Sequence, residues 1–251
     1  MSEKIVELRN VSFSYGINKV LEDISLYIKK GDFVGIIGPN GSAKSTLLKL
    51  MVGLLKADIG TIYLFNKPVN EFKEFYKIGY ISQTAREFNN MFPATVEEVV
   101  AANIYNKNIF SGKIKREEKT KVEEVLQIVE MSRFRKKKIG DLSGGQKQRI
   151  FIARALVNNP EILFMDEPLV GVDIKSQSKF YRLLDRINEE FNITLVIVSH
   201  DIGVISKKVN RLFCLSNGKV YEHDLKTDKN INLKGIYGEN VNLLFHQHWE
   251  E

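Results

Sequence analysis

The sequence predicts an α/β chain built on a mainly parallel central sheet, and two kinds of segment carry that expectation. Phe33-Val34-Gly35-Ile36-Ile37, Ile162-Leu163-Phe164-Met165 and Leu195-Val196-Ile197-Val198 are short, nearly continuous apolar runs. That is the pattern of strands buried on both faces. Segments of helical periodicity at 44–52, 176–190 and 202–207 lie between and after them. Strands that alternate with helices pair in parallel, because each helix carries the chain back across the sheet.

Other elements follow in chain order. Ile24-Ser25-Leu26-Tyr27-Ile28 alternates apolar and polar residues, as a half-buried strand does. Between Gln83 and Asp141 the pattern changes: 95–102 and 117–131 read as helices, with Val122, Val125, Leu126 and Val129 in one apolar stripe. This predicts a helical lobe inserted at about 84–141. Thr95 with Glu98 three residues on forms a capping box at the start of its first helix. From about Asp224 the chain is polar and weakly periodic, so residues 1–223 are expected to form the main domain and 224–251 a tail or small extension.

A chain of 251 residues, 43% apolar, can bury one substantial core. Its net charge of +6 permits contact with nucleotides, acidic lipid surfaces or nucleic acid and selects none of them. Basic stretches at 113–116 and 133–138 read as solvated surface. The single cysteine, Cys214, lies in the apolar run Arg211-Leu212-Phe213-Cys214-Leu215 and reads as a small buried hydrophobe, against a disulfide-built secreted fold. With no signal peptide and no 18-residue apolar run, the chain is expected to stay in the cytosol and not to enter a bilayer alone.

Three motifs carry chemistry. Gly38-Pro39-Asn40-Gly41-Ser42-Ala43-Lys44-Ser45-Thr46 follows a buried run and opens a helix, the setting of a phosphate-binding loop. Its N–H groups would cradle phosphates, Lys44 would reach the terminal ones and Ser45 would place its hydroxyl on Mg²⁺. Ala43 stands where the last glycine of G-x-x-x-x-G-K-[ST] is expected. If that position needs positive φ, alanine costs about 1–2 kcal/mol; if it is already helical, the cost is one methyl crowding the phosphates. ATP binding is expected to survive and hydrolysis to be slowed. In Leu142-Ser143-Gly144-Gly145-Gln146-Lys147-Gln148-Arg149, Ser143 offers a hydroxyl and the glycines let N–H groups approach an anion. The apolar helix that follows aims its positive end at the same spot. Asp166-Glu167-Pro168 closes a buried run, with Asp166 suited to an Mg²⁺ shell and Glu167 to polarising a water as general base.

With Gln83 and Ser199-His200-Asp201, these motifs occur in an order and spacing that resembles the ATP-binding cassette family up to about residue 223. The resemblance implies a P-loop NTPase fold with an antiparallel β subdomain and an inserted helical subdomain, ATP and Mg²⁺ as ligands, and ATP hydrolysis coupled to transport. It implies catalytic roles for Lys44, Glu167 and His200, the histidine contacting the γ-phosphate. Tyr15 would stack on adenine, and Gln83 would bridge Mg²⁺ and the helical lobe. Ser143, Gly144, Gly145 and Gln146, within the octet that resembles the family's signature motif, would face the ATP of a second copy, and Asp173 would lie at the dimer seam. On the residues alone, Tyr15 is a strand-end aromatic and His200 a hydrogen-bonded structural residue. Ser82 stands where the family more often has proline, and Leu169 where it usually has threonine.

Phe88-Asn89-Asn90-Met91-Phe92-Pro93-Ala94-Thr95-Val96-Glu97-Glu98-Val99-Val100 is similar to the region after the glutamine in ATPases of zinc and manganese importers. That similarity implies an integral membrane permease as partner, an extracytoplasmic solute-binding protein as an indirect one, and a place on the inner face of the cell membrane. The same residues also read as an ordinary helix start with a hydrophobic staple. His246 and His248 suggest metal sensing, but in a polar tail with no Cys or carboxylate cluster they read as surface. The alternatives are an importer for another substrate, a soluble cassette of iron–sulfur or cofactor assembly, and a nucleic-acid-associated cassette. Members of the last class usually carry two cassettes per chain, so no nucleic acid is expected here.

Overall fold

The computed structural model describes residues 3–83, 93–105, 116–169 and 172–225. The stretches 88–92 and 113–115 and the tail with His246 and His248 therefore lie outside the described residues. The chain divides into two units, Met1–Lys73 with Thr194–Glu251, and Glu74–Ile193.

In the first unit, β1 (Lys4–Tyr15) and β2 (Asn18–Lys29) form an antiparallel pair, and β4 (Ile59–Leu64) and β5 (Lys67–Pro68) extend it in the order β2-β1-β4-β5. A parallel core lies beside this antiparallel layer in sequence. Strand β3 (Phe33–Ile37) pairs in parallel with β8 (Thr194–Val198) and β9 (Arg211–Ser216). All five residues of β3 and of β8 are buried, as their unbroken apolar pattern predicts. Strand β10 (Lys219–Asp224) returns antiparallel along β9 through Asn217-Gly218, both at positive φ, so main-chain pairing continues up to the expected domain limit at 223. Arg211 closes this sheet with a buried ion cluster. Its Nη1 donates to Asp32 Oδ2 at 2.8 Å, its Nε donates to Glu222 Oε1 at 2.8 Å, and it lies 4.6 Å above the Tyr27 ring. Cys214 is fully buried, and burial pushes its thiol up to about 12.

The second unit holds a parallel pair, β6 (Ile78–Ile81) and β7 (Ile162–Asp166), and most of the helices. A Cβ at Gly79 would lie 2.7 Å from Leu163 Cδ1 and 3.2 Å from the Ala155 carbonyl, so β6 runs close to its neighbours and a side chain there would push Leu163 aside. Helices α2 (Val96–Ala101), α3 (Arg116–Ile128) and α4 (Gly144–Leu156) pack on one another and bury Val99, Val100, Val122, Val125, Leu126 and Val129. The predicted helix over 117–131 is shorter in the structure. Glu130 turns left-handed (φ 58°) and the Met131 N–H returns to the Leu126 carbonyl at 2.7 Å, which closes the last turn. The predicted helix at 176–190 is α5 (Ile174–Phe191), longer at both ends, capped by Asp173 and closed by Asn192 at φ 52°. Among the described residues no helix is long and apolar enough to cross a membrane.

Candidate functional site

The glycine-rich loop lies in the first unit, between buried β3 and α1 (Lys44–Met51). A Cβ at Gly38 would run into the Leu215 carbonyl and come within 2.6 Å of Ser42 Oγ, so the loop leaves β3 along a path only glycine can follow. Gly41 turns with φ 79°. Ala43 sits immediately before α1 at φ 70°, ψ 26°, which selects the first of the two costs foreseen for it: an L-residue held left-handed. Lys44 is 5% exposed, and its Nζ donates to the carbonyls of Gly38 at 2.9 Å and Pro39 at 2.8 Å. The ammonium is thus held over the loop. Ser42 Oγ is buried with no hydrogen-bond partner among the described residues, an orphan that a phosphate oxygen inside the loop would satisfy. Glycine turns, an orphaned hydroxyl and a held ammonium together suit a phosphate chain.

Two further residues singled out in the sequence belong to this unit. Tyr15 ends β1, is 50% exposed, packs edge-on against Phe13, and its hydroxyl lies 3.3 Å from Thr46 Oγ1. The strand-end aromatic is therefore tied to the first turn of α1, with a ring face left open. His200 follows buried β8 and is exposed.

In the second unit, Asp166 closes β7 and is 2% exposed. Burial, and then the nearby Asp166 carboxylate, push the Tyr80 phenol up to about 12. Glu167 follows at φ 48°, a left-handed conformation that costs a non-glycine residue energy and here swings its carboxylate out of the strand line. Gln83 Nε2 donates to Glu167 Oε2 at 3.2 Å, so two residues 84 positions apart in sequence meet. Among the described residues no group of three or more His, Cys, Asp or Glu could hold a metal ion. One buried carboxylate suits Mg²⁺, which keeps several waters and takes phosphate oxygens as ligands.

The octet Leu142–Arg149 forms the N-terminus of α4. Ser143 Oγ accepts from Gln146 N at 3.4 Å, and Gln146 Oε1 accepts from Ser143 N at 3.0 Å. The sequence reading assigned that hydroxyl to an anion; it also closes a capping box, which spends one of the helix's orphan N–H groups. A Cβ at Gly145 would lie 3.2 Å from Ser176, so α4 comes close to the start of α5. Asp173 Oδ1 caps α5 by accepting from Ser176 N at 2.9 Å. Val172 N donates to the Leu169 carbonyl at 3.2 Å and Gln177 Nε2 to the Val172 carbonyl at 2.9 Å, so the turn is hydrogen-bonded with leucine at 169.

Sequence reasoning passed over Gln148 and Arg149 as part of a motif. Gln148 is 5% exposed and donates through Nε2 to the Pro168 carbonyl, which ties the signature helix to the segment after Asp166-Glu167. A polar residue flanked by apolar helix positions was the available signal. Arg149 Nη1 donates to the Val129 carbonyl at 3.1 Å and pairs with Glu130 at 2.7 Å.

A family model described as "ABC transporter" matches residues 21–170. The zinc uptake system ATP-binding protein ZurA of Listeria innocua is 43% identical over 87% of this chain and 85% of its own. The manganese transport system ATP-binding protein MntB of Listeria monocytogenes is 38% identical over 87% and 89%. Among solved structures, the ATP-binding cassette MJ0796, a dimer with ADP and phosphate in a post-hydrolysis state, superposes with a TM-score of 0.74 at 36% identity, covering 88% of this chain and 99% of that one.

Proposed function

The chain belongs to the ABC transporter family as one of its ATP-hydrolysing subunits, and from that premise we propose that it powers import of a divalent metal ion, zinc or manganese. The observation that carries the metal reading is the similarity to zinc and manganese uptake ATPases along 87% of the chain. In this reading the chain sits on the cytoplasmic face of the membrane, bound to a permease, and pairs with a second copy of itself. An extracytoplasmic binding protein delivers the ion.

The roles of the residues follow from their chemistry. Loop N–H groups from Gly38 to Thr46, with Pro39, Asn40 and Ser42 shaping the turn, hold the phosphates, and Lys44 exchanges its carbonyl partners for phosphate oxygens. Tyr15 offers its open ring face to the adenine. Ser45, Gln83 and Asp166 are the residues that would hold Mg²⁺, which would supply charge neutralisation at the phosphates. Glu167 takes the proton of the attacking water, and its bond from Gln83 holds the carboxylate in position. His200 donates to the γ-phosphate. Ser143, Gly144, Gly145 and Gln146 present the end of α4 to the nucleotide of the second copy, with Asp173 at the seam. ATP then closes the pair because its γ-phosphate draws contacts from both chains, and hydrolysis removes that differential affinity.

The test is co-purification with the native permease, then zinc and manganese uptake with wild-type and Lys44→Ala chains. Uptake of either metal that vanishes with Lys44→Ala is the expected result. A chain that assembles with soluble scaffold proteins and with no permease overturns the importer reading.

A further inference from the structure

Tyr15 stands at the very end of β1, where a strand frays unless both of its edges are held. Along one edge the pairing with β2 runs on to the tip, with Ser14 opposite Lys19 and Tyr15 opposite Asn18. Along the other edge the pairing with β4 stops at Ser12 opposite Ile59, where β4 begins. Asp58, the residue before β4, adds one more rung. Its N–H donates to the Ser12 carbonyl at 3.0 Å, and its Oδ2 accepts from the Ser14 N–H at 2.7 Å. The carboxylate thus stands where the next carbonyl of a longer β4 would be, and its charge strengthens the bond. Gly60 lets the start of β4 come this near: a Cβ there would lie 2.4 Å from the Arg9 and Asn10 carbonyls.

The ring itself is fixed from two further sides. Its hydroxyl lies 3.3 Å from Oγ1 of buried Thr46 on α1, and buried Phe13 stands edge-on to it with centroids 4.9 Å apart. A platform immobilised before its ligand arrives binds a flat base without first being ordered. We infer that Asp58 is a positioning residue for the nucleotide base: through the Ser14 N–H it holds the end of β1 that carries Tyr15, without touching the nucleotide itself. This role rests on Tyr15 stacking on adenine, as proposed above. On residue type alone an aspartate before a strand is a turn residue. What sets Asp58 apart is that its side chain reaches 44 positions back along the chain, to the residue beside the stacking aromatic.

The test is a double-substitution cycle on the full-length chain, with ADP affinity read by calorimetry and kcat read at saturating ATP. Tyr15→Ala is expected to weaken ADP binding about tenfold, the scale of one aromatic–base stack. Asp58→Ala, which removes the acceptor, is expected to weaken it about fivefold and to leave kcat within about twofold, since a contact to the base is made equally in ground and transition states. Asp58→Asn keeps an acceptor oxygen and is expected to recover most of that loss. Adding Asp58→Ala to Tyr15→Ala is expected to cost nothing more, because a residue that acts through the ring then has nothing left to position. Additive losses, a kcat that falls with the affinity, or an Asp58→Ala chain that binds ADP like the parent while Tyr15→Ala does not, each overturn the role of Asp58 alone. Parent-like ADP binding by Tyr15→Ala overturns the stacking of Tyr15, and the role of Asp58 with it.

Discussion

Ala43 holds φ 70° in a loop whose consensus residue there is glycine. An alanine in that region costs about 1–2 kcal/mol, partly offset because glycine loses more entropy on folding. Ala43→Gly is therefore expected to raise the thermal midpoint slightly and to raise ATP turnover; a linked gain of about 1 kcal/mol corresponds to about fivefold. Turnover equal to that of the parent would show that the methyl does not limit hydrolysis. Glu167 carries a second left-handed backbone at φ 48°. Neither strain could be read from residue types, because φ is decided by how loop and strand ends are anchored. The residues at both places were legible all the same: Lys44 opens the helix that follows a buried run and a glycine-rich loop, and Asp166 and Glu167 stand at the end of another buried run.

At the scale of elements, caps do much of the positioning. Thr95 and Glu98 form the capping box foreseen for the first helix of the inserted lobe, with Thr95 N donating to Glu98 Oε2 at 2.7 Å. Thr95→Ala is expected to cost about 1 kcal/mol, read by chemical denaturation. The Thr95 N–H, and then its hydroxyl, hold the Glu98 carboxyl below its ordinary value of 4.5. A lowered carboxylate pKa stabilises the fold fully above 4.5, and that contribution is lost as pH falls through the still lower folded value. Glu98→Gln should thus be less stable than the parent at neutral pH and lose less on acidification below 4.5; parallel acid curves would refute the coupling. The second box, Ser143 with Gln146, was not foreseen. Its residue types fit an anion site and a cap equally well, and only the path of the chain shows that the Ser143 hydroxyl closes a cap.

For the whole molecule, the role proposed for Ser143 and its glycines needs a second copy, whose ATP they would face. Glu167→Gln is expected to abolish ATP turnover and to trap an ATP-bound pair, seen by light scattering as a doubling of mass with ATP and not with ADP. A variant that stays monomeric in ATP contradicts the assembly. The parallel pairing and the helices at 95–102 and 117–131 were legible because period and run length report burial directly, whereas the antiparallel sheet came only with the family resemblance. Strands β1, β4, β5 and β10 were less so, since short amphipathic runs mixed with charged residues leave a weak pattern. By itself the sequence determined the α/β class, the family, and the identity of the loop, acidic and signature residues, for these are written in local order and spacing. The tertiary structure alone decided that Gln83 meets Glu167, that Gln148 ties the signature helix to Pro168, and that Asp58 holds Ser14 near the end of β1. Those contacts join residues that the chain separates, and only packing brings them within reach.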